Sequence, residues 1–227
     1  DYLCTQHMNF YFPGNSFPFF STFTQFTPDD VYAFLRDRGY KEFLAWTHHT
    51  TRMDYASDFA FFEEEINTML EIYSCHGSSE FQGKRNLYPA IHEIDEKFPG
   101  YSLNDAFKMG RKCGIMASSD THDGRLGHSL LHNEVRSIGG EPHTLSGFRF
   151  GVEYHGGITA IITQNLSRQN IYDGLKTRAA YASTWVNRPI INLSINGIRV
   201  GQNDSTVRVS SNDTPRNISI FIAMDGV

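Results

Sequence analysis

Gly114-Ile115-Met116-Ala117-Ser118-Ser119-Asp120-Thr121-His122-Asp123-Gly124 is the stretch on which the reading of this chain turns. A short apolar run follows a glycine and opens into small hydroxyl residues, then a carboxylate and an imidazole two positions apart. Apolar runs of this length between turn signals read as buried parallel strands. Asp120 and His122 then fall where such a strand ends, on the rim where α/β folds gather their chemistry. In extended chain an Asp-x-His pair points both side chains the same way. A carboxylate oxygen and an imidazole nitrogen aimed at one point suit a divalent metal, and a hydrogen-bonded structural pair is the alternative.

Two further strand ends carry residues of the same kind. Lys41-Glu42-Phe43-Leu44-Ala45-Trp46-Thr47 reads as a strand ending on His48-His49-Thr50-Thr51. Adjacent histidines in a strand face opposite ways, so only one of His48 and His49 is expected at a shared centre, the other packing behind it. Leu70-Glu71-Ile72-Tyr73-Ser74 is the next strand, opening into Cys75-His76-Gly77-Ser78-Ser79-Glu80. Glycine and hydroxyls after a strand suit a loop that approaches a ligand closely, which makes His76 and Glu80 candidate site residues; fixing the loop by hydrogen bonds is their other reading. Beyond His122, Arg125 has the fork geometry to hold a carboxylate or phosphate, with a surface ion pair as the bland alternative. His7 opens a possible strand, His7-Met8-Asn9-Phe10-Tyr11-Phe12, where a packed histidine is the simpler reading.

The elements between these strands are helical. Thr27-Pro28-Asp29-Asp30 starts a helix, with a capping threonine, proline at the first position and two carboxylates at the positive end; Gly39 stops it. Residues 58–69 have helical character, and the acidic run Glu63-Glu64-Glu65 is a solvated face. Ser102-Leu103-Asn104-Asp105 resembles a capping box and opens a helix over about 103–113. Gly156-Gly157-Ile158-Thr159-Ala160-Ile161-Ile162 is a further strand, followed by a helix capped by Ser167. Strand–helix–strand succession of this kind argues for parallel strands joined by crossovers. Near residue 187 the period changes to two, and Asn196-Gly197 is a hairpin turn. The expectation is one α/β unit over 1–186 and the start of a small antiparallel β unit over 187–227.

Composition narrows the function classes. The chain has 227 residues, 40% of them hydrophobic, enough for one sizeable core. Its net charge is −5 with no basic stripe, so nothing favours nucleic acid or an anionic membrane surface as a partner. No apolar run approaches the ~20 residues that span a bilayer. Three cysteines, Cys4, Cys75 and Cys113, show no Cys-x-x-Cys spacing and leave the compartment open, with a periplasmic or secreted location favoured over a cytoplasmic one. Asn-x-Ser/Thr triplets at Asn165, Asn192, Asn203, Asn212 and Asn217 read as chance matches in a tail rich in those residues. Both ends of the chain read as interior to a longer protein.

As a set, Thr47-His48-His49-Thr50, Glu71-Ile72-Tyr73-Ser74-x-His76-Gly77-Ser78-Ser79-Glu80, Ser118-Ser119-Asp120-Thr121-His122-Asp123-Gly124 and Gly156-Gly157-Ile158-Thr159-Ala160 resemble an uncharacterised branch of the PHP (polymerase and histidinol phosphatase) superfamily. The resemblance covers about residues 5–200. It implies a distorted seven-stranded β/α barrel, here partial, with two or three zinc, iron or manganese ions at the C-terminal strand ends. His7 looks like the family's mid-chain histidine ligand, His48 or His49 like the histidine ending the next strand, and Asp120 with His122 like its closing Asp-x-His pair. The family's opening His-x-His is absent, so the resemblance implies a missing N-terminal part as the partner that completes the metal shell.

The function expected on these grounds is a metal-dependent hydrolase, foremost a phosphoesterase acting on a small phosphorylated or anionic substrate through a metal-activated water. His76, Glu80 and Arg125 are the residues expected to act on substrate. An amidohydrolase-like enzyme cleaving C–N or C–O bonds on the same metal site is the second reading. A binding module with a vestigial metal site is the third.

Overall fold

Thr27, Pro28 and Asp30 start the first helix as the sequence predicts. In the computed structural model the Thr27 hydroxyl accepts the Asp30 N–H, and the Asp30 carboxylate receives the Thr27 N–H, so two otherwise orphaned donors are met. The structure describes residues 7–18, 27–51, 56–74, 77–81, 100–120, 135–138, 141–144, 156–184, 188–202 and 206–224. In chain order the elements are β1 (Met8–Tyr11), α1 (Pro28–Asp37), β2 (Leu44–Thr47), β3 (Met69–Ser74), β4 (Gly77–Ser78), α2 (Leu103–Lys108), β5 (Gly114–Ala117), β6 (Val135–Ile138), β7 (Glu141–Thr144), β8 (Ile158–Ile161), α3 (Arg168–Lys176), β9 (Ala180–Ser183), β10 (Ile190–Ile195), β11 (Ile198–Arg199) and β12 (Ile218–Ala223).

The expected partial β/α barrel is not what forms. The described strands fall into small sheets of two or three, β1–β2, β4–β3–β5, β6–β7, β8–β9 and β11–β10–β12, and no closed barrel exists among the described residues. Among the described residues only β3 and β5 pair in parallel, across the α2 crossover. The reason is where the other helices sit. β1 and β2 are antiparallel, with Tyr11 opposite Leu44, so the chain leaves β1 and enters β2 at one end and α1 is an insertion between them. β8 and β9 repeat this: Ile161 lies opposite Ala180, and Ile162 N–H donates to the Ala179 carbonyl at the neck of the α3 excursion. A helix between two strands therefore marks a crossover only when it carries the chain to the far end of the sheet.

Two other expectations shift locally. Residues 58–69 do not form a helix: Asp58 caps a single 3-10 turn at Phe59–Phe61, and the Asn67 side chain accepts the Glu63 N–H. The second helix ends at Lys108, with Gly110 left-handed at φ 78°.

Three apolar clusters hold these pieces together. Leu44, Trp46, Met69, Met116 and Ala180 meet Tyr172 and Leu175 of α3, so α3 plugs one end of the strand layer. Val31, Tyr32 and Leu35 of α1 cover Phe43, Ala45 and Ile66 on the other face. Leu103 and Ala106 of α2 cover Phe59 and Leu70, with Ile72 and Ile115 beside them.

β8 joins β5 through side chain and glycine. Thr159 Oγ1 accepts the Ala117 N–H at 2.9 Å and donates to the Ala117 carbonyl at 2.7 Å, and Gly157 N–H reaches the Ser118 carbonyl at 2.7 Å. A Cβ on Gly157 would lie 2.4 Å from Ala117 Cβ, and one on Gly156 would lie 2.7 Å from Ser119 Cα. Glycine is needed here because two backbones meet. Gly157→Ala is expected to cost about 1–3 kcal/mol, seen as a lower urea midpoint. Gly14→Ala, whose Cβ meets nothing nearer than 4.0 Å, is the control; it should stay within about 0.5 kcal/mol of the parent.

Candidate metal centre

His7 immediately precedes β1, and His48 and His49 immediately follow β2, so antiparallel pairing brings them to the same end. The His48 N–H donates to the His7 carbonyl and extends the ladder by one step. All three imidazoles converge: each offers a nitrogen, and these atoms lie within 4.8 Å of one another. His7 Nδ1 and His49 Nε2 are 3.0 Å apart, a hydrogen bond that requires one of the two nitrogens to be unprotonated.

The expectation that only one of His48 and His49 reaches the centre fails for a local reason. The strand ends at Thr47, and His49 turns into the left-handed region at φ 38°. Strand alternation no longer applies, and both rings face His7, with centroids 5.3 Å and 4.9 Å from it. A left-handed non-glycine residue costs about 1–2 kcal/mol, so something must hold it. Glu71 does so: its carboxylate accepts the His49 N–H at 2.8 Å.

Glu71 lies inside β3, where residue type alone assigns it no place at the site. It is 1% exposed. One carboxylate oxygen takes the His49 N–H, and the other takes the Ser118 hydroxyl in a short hydrogen bond. Burial pushes its carboxyl up to about 7; the His48 imidazole opposes this, the Asp120 charge adds to it, and the Ser118 and His49 hydrogen bonds oppose it. The signal in the sequence was a lone carboxylate inside Met69-Leu70-Glu71-Ile72-Tyr73, since charged groups are fully buried only where they are partnered.

Asp120 follows Ser118 by two residues and is also left-handed, at φ 50°. Its Oδ2 faces His48 Nδ1 at 3.5 Å, with both side chains largely buried. A carboxylate on one ring nitrogen fixes the tautomer and turns the other nitrogen towards the centre. Glu80 lies past β4, half-buried; its N–H bonds Ser78 Oγ and its carbonyl receives the Asn104 N–H at the start of α2. His76, His122 and Arg125 lie outside the described residues. Cys113 is free, and burial pushes its thiol up to about 12, which leaves it unreactive at neutral pH.

The donor set fits a transition-metal ion. Imidazole suits zinc, iron, copper and nickel, and two nitrogens on one tetrahedral zinc stand ~3.3 Å apart when each bond is ~2.0–2.1 Å. His7 Nδ1 and His49 Nε2 stand 3.0 Å apart, and the three donors lie within 4.8 Å of one another.

No protein-family model and no solved structure matches the chain. Similarity is found to uncharacterised proteins of Chlamydia. The Chlamydia muridarum protein is 25% identical over 183 residues, 80% of this chain and 27% of the relative. The Chlamydia trachomatis protein is 26% identical over the same shares, and that of Chlamydia pneumoniae 25% identical over 77% of this chain and 25% of its own length. The chain thus spans about a quarter of the length of the curated relatives it matches. Among the described residues no helix is long and apolar enough to cross a membrane.

One prediction follows from Glu71 in the metal-free protein. Its folded pKa lies above its ordinary value of 4.5, so between pH 4.5 and about 7 the folded state holds more protons than the unfolded state. Stability from this group is complete below pH 4.5 and is lost as pH rises towards 7. Urea titrations across that range should show the decline, and Glu71→Gln should flatten it. An unchanged slope in the variant would assign the decline to other groups.

Proposed function

We propose that His7, His48 and His49, with Asp120 behind His48, hold a divalent metal ion, and that the site serves hydrolysis of a small phosphorylated substrate. The observation that carries this reading is the convergence of three imidazoles from two strand ends some forty residues apart in sequence. His49 is buried and His48 largely so, and imidazoles taken out of water need partners for their ring nitrogens, which a shared cation would supply. The order of the motifs supports a PHP-like set of ligands, which is likewise a proposal and does not extend to that superfamily's barrel.

A bound divalent ion lowers the pKa of its water towards neutrality and polarises a phosphoryl oxygen. The chain's own part is to bring the imidazoles together and to fix their direction. Asp120 orients His48, and Glu71 holds His49 from behind. His122, two residues beyond Asp120, is the natural further donor, and Arg125 the natural contact for an anionic group. Any second or third ion needs donors beyond the described residues. His76 and Glu80 remain candidates for substrate contact. The remainder of a longer polypeptide is proposed as the partner that completes the site.

The test is metal content and hydrolysis together. With manganese or zinc added, the protein should bind metal stoichiometrically and cleave aryl phosphates. Asp120→Ala should lower the turnover number by at least about tenfold, and His49→Ala should abolish stoichiometric metal. Hydrolysis of amides or esters but not phosphates would move the assignment to a C–N or C–O hydrolase. Metal and activity retained in both variants would refute the site.

A further inference from the structure

Glu71 stands outside the donor set, yet it touches the segment that carries His48 and His49 and the segment that carries Asp120. Its two oxygens are committed, one to the His49 main chain and one to the Ser118 side chain. The first contact lies at the residue whose left-handed turn lets two adjacent histidines share a centre. The second lies two residues before Asp120, which is also left-handed and faces His48. Ser118 is itself tied on its far side: its carbonyl accepts Gly157 N–H, and its N–H donates to the Tyr73 carbonyl.

We propose that Glu71 is the positioning residue of this site, clamping the His49 turn and the Ser118–Asp120 strand end in the relation that makes the three-histidine centre. The inference rests on the metal-site reading for its functional meaning and on the metal-free geometry for its substance. Without the clamp, His49 relaxes towards ordinary extended backbone and its ring swings away from His7 and His48. The clamp acts through hydrogen bonds. An amide in place of the carboxylate reproduces both, its oxygen accepting the His49 N–H and its NH2 donating to Ser118 Oγ. An apolar residue of similar size reproduces neither.

The experiment compares the parent protein with Glu71→Gln, Glu71→Leu and Ser118→Ala. Zinc affinity is read by competition with a chromophoric chelator, and His7–His49 ring proximity by nuclear Overhauser contacts in the metal-free state. Glu71→Gln should keep the ring contact and bind zinc within about tenfold of the parent, whereas Glu71→Leu should lose the contact and bind about 10–100-fold more weakly. Ser118→Ala removes one of the two holds; it should fall between them, and it carries the test if Glu71→Leu does not fold. Parent-like zinc affinity in Glu71→Leu, or loss in Glu71→Gln as large as in Glu71→Leu, overturns the clamp. If the parent binds no zinc, the metal reading fails by itself. The ring contact then decides: kept in parent and Glu71→Gln but lost in Glu71→Leu supports the clamp, and kept in all three refutes it.

Discussion

A carboxylate removed from water must have its lone pairs met from inside the protein, and this requirement at Glu71 organises the end of the molecule where the histidines gather. The groups that meet it are a main-chain N–H of one strand end and a side-chain hydroxyl of another. Burial at this position is expensive unless both hydrogen bonds are made. The first of these bonds also holds the backbone of His49 in a conformation it would otherwise avoid. The cost of burying Glu71 and the strain at His49 are thus answered by one interaction, and the convergence of the imidazoles is its consequence.

The framework around this point is assembled from hairpins with helices set into them. α1 and α3 both leave and return at the end of the strand layer away from the histidines, where Tyr172 and Leu175 of α3 close the core. His7, His48, His49 and Asp120 meet at the opposite end. Gly156 and Gly157 let the chain before β8 lie against Ala117, Ser118 and Ser119 with no side chain between. Thr159 then supplies from its hydroxyl both hydrogen bonds that a neighbouring strand would have supplied to Ala117.

Much of this was legible locally and little of it globally. Thr27 with Asp30, and Ser102 with Asp105, are capping pairs whose geometry depends on four consecutive residues, and sequence spacing alone identifies them. Asn196-Gly197 is equally local: both residues are left-handed, as a tight antiparallel turn needs. Strand direction is not local. Helix signals in α1 do not say whether the chain crosses over or turns back; β1 and β2 pair antiparallel, and the partial β/α barrel was therefore the wrong inference. At the site, residue type pointed to His7, His48, His49 and Asp120. Alternation misjudged His48 and His49, because it assumes the strand continues past Thr47. Glu71 was missed because its contacts to His49 and Ser118 span 22 and 47 residues, which no periodicity records.

The relatives in Chlamydia are about four times as long as the segment they share with this chain. What the structure describes is narrower: three imidazoles converge, and the proposal is that they take one ion. The most direct measurement is X-ray diffraction from zinc-soaked crystals, with data collected on both sides of the zinc absorption edge. The account predicts one strong anomalous peak bonded to nitrogens of His7, His48 and His49 at about 2.0–2.1 Å, with Asp120 against the far side of the His48 ring. A zinc peak elsewhere, or none with the His7–His49 hydrogen bond intact, would contradict it.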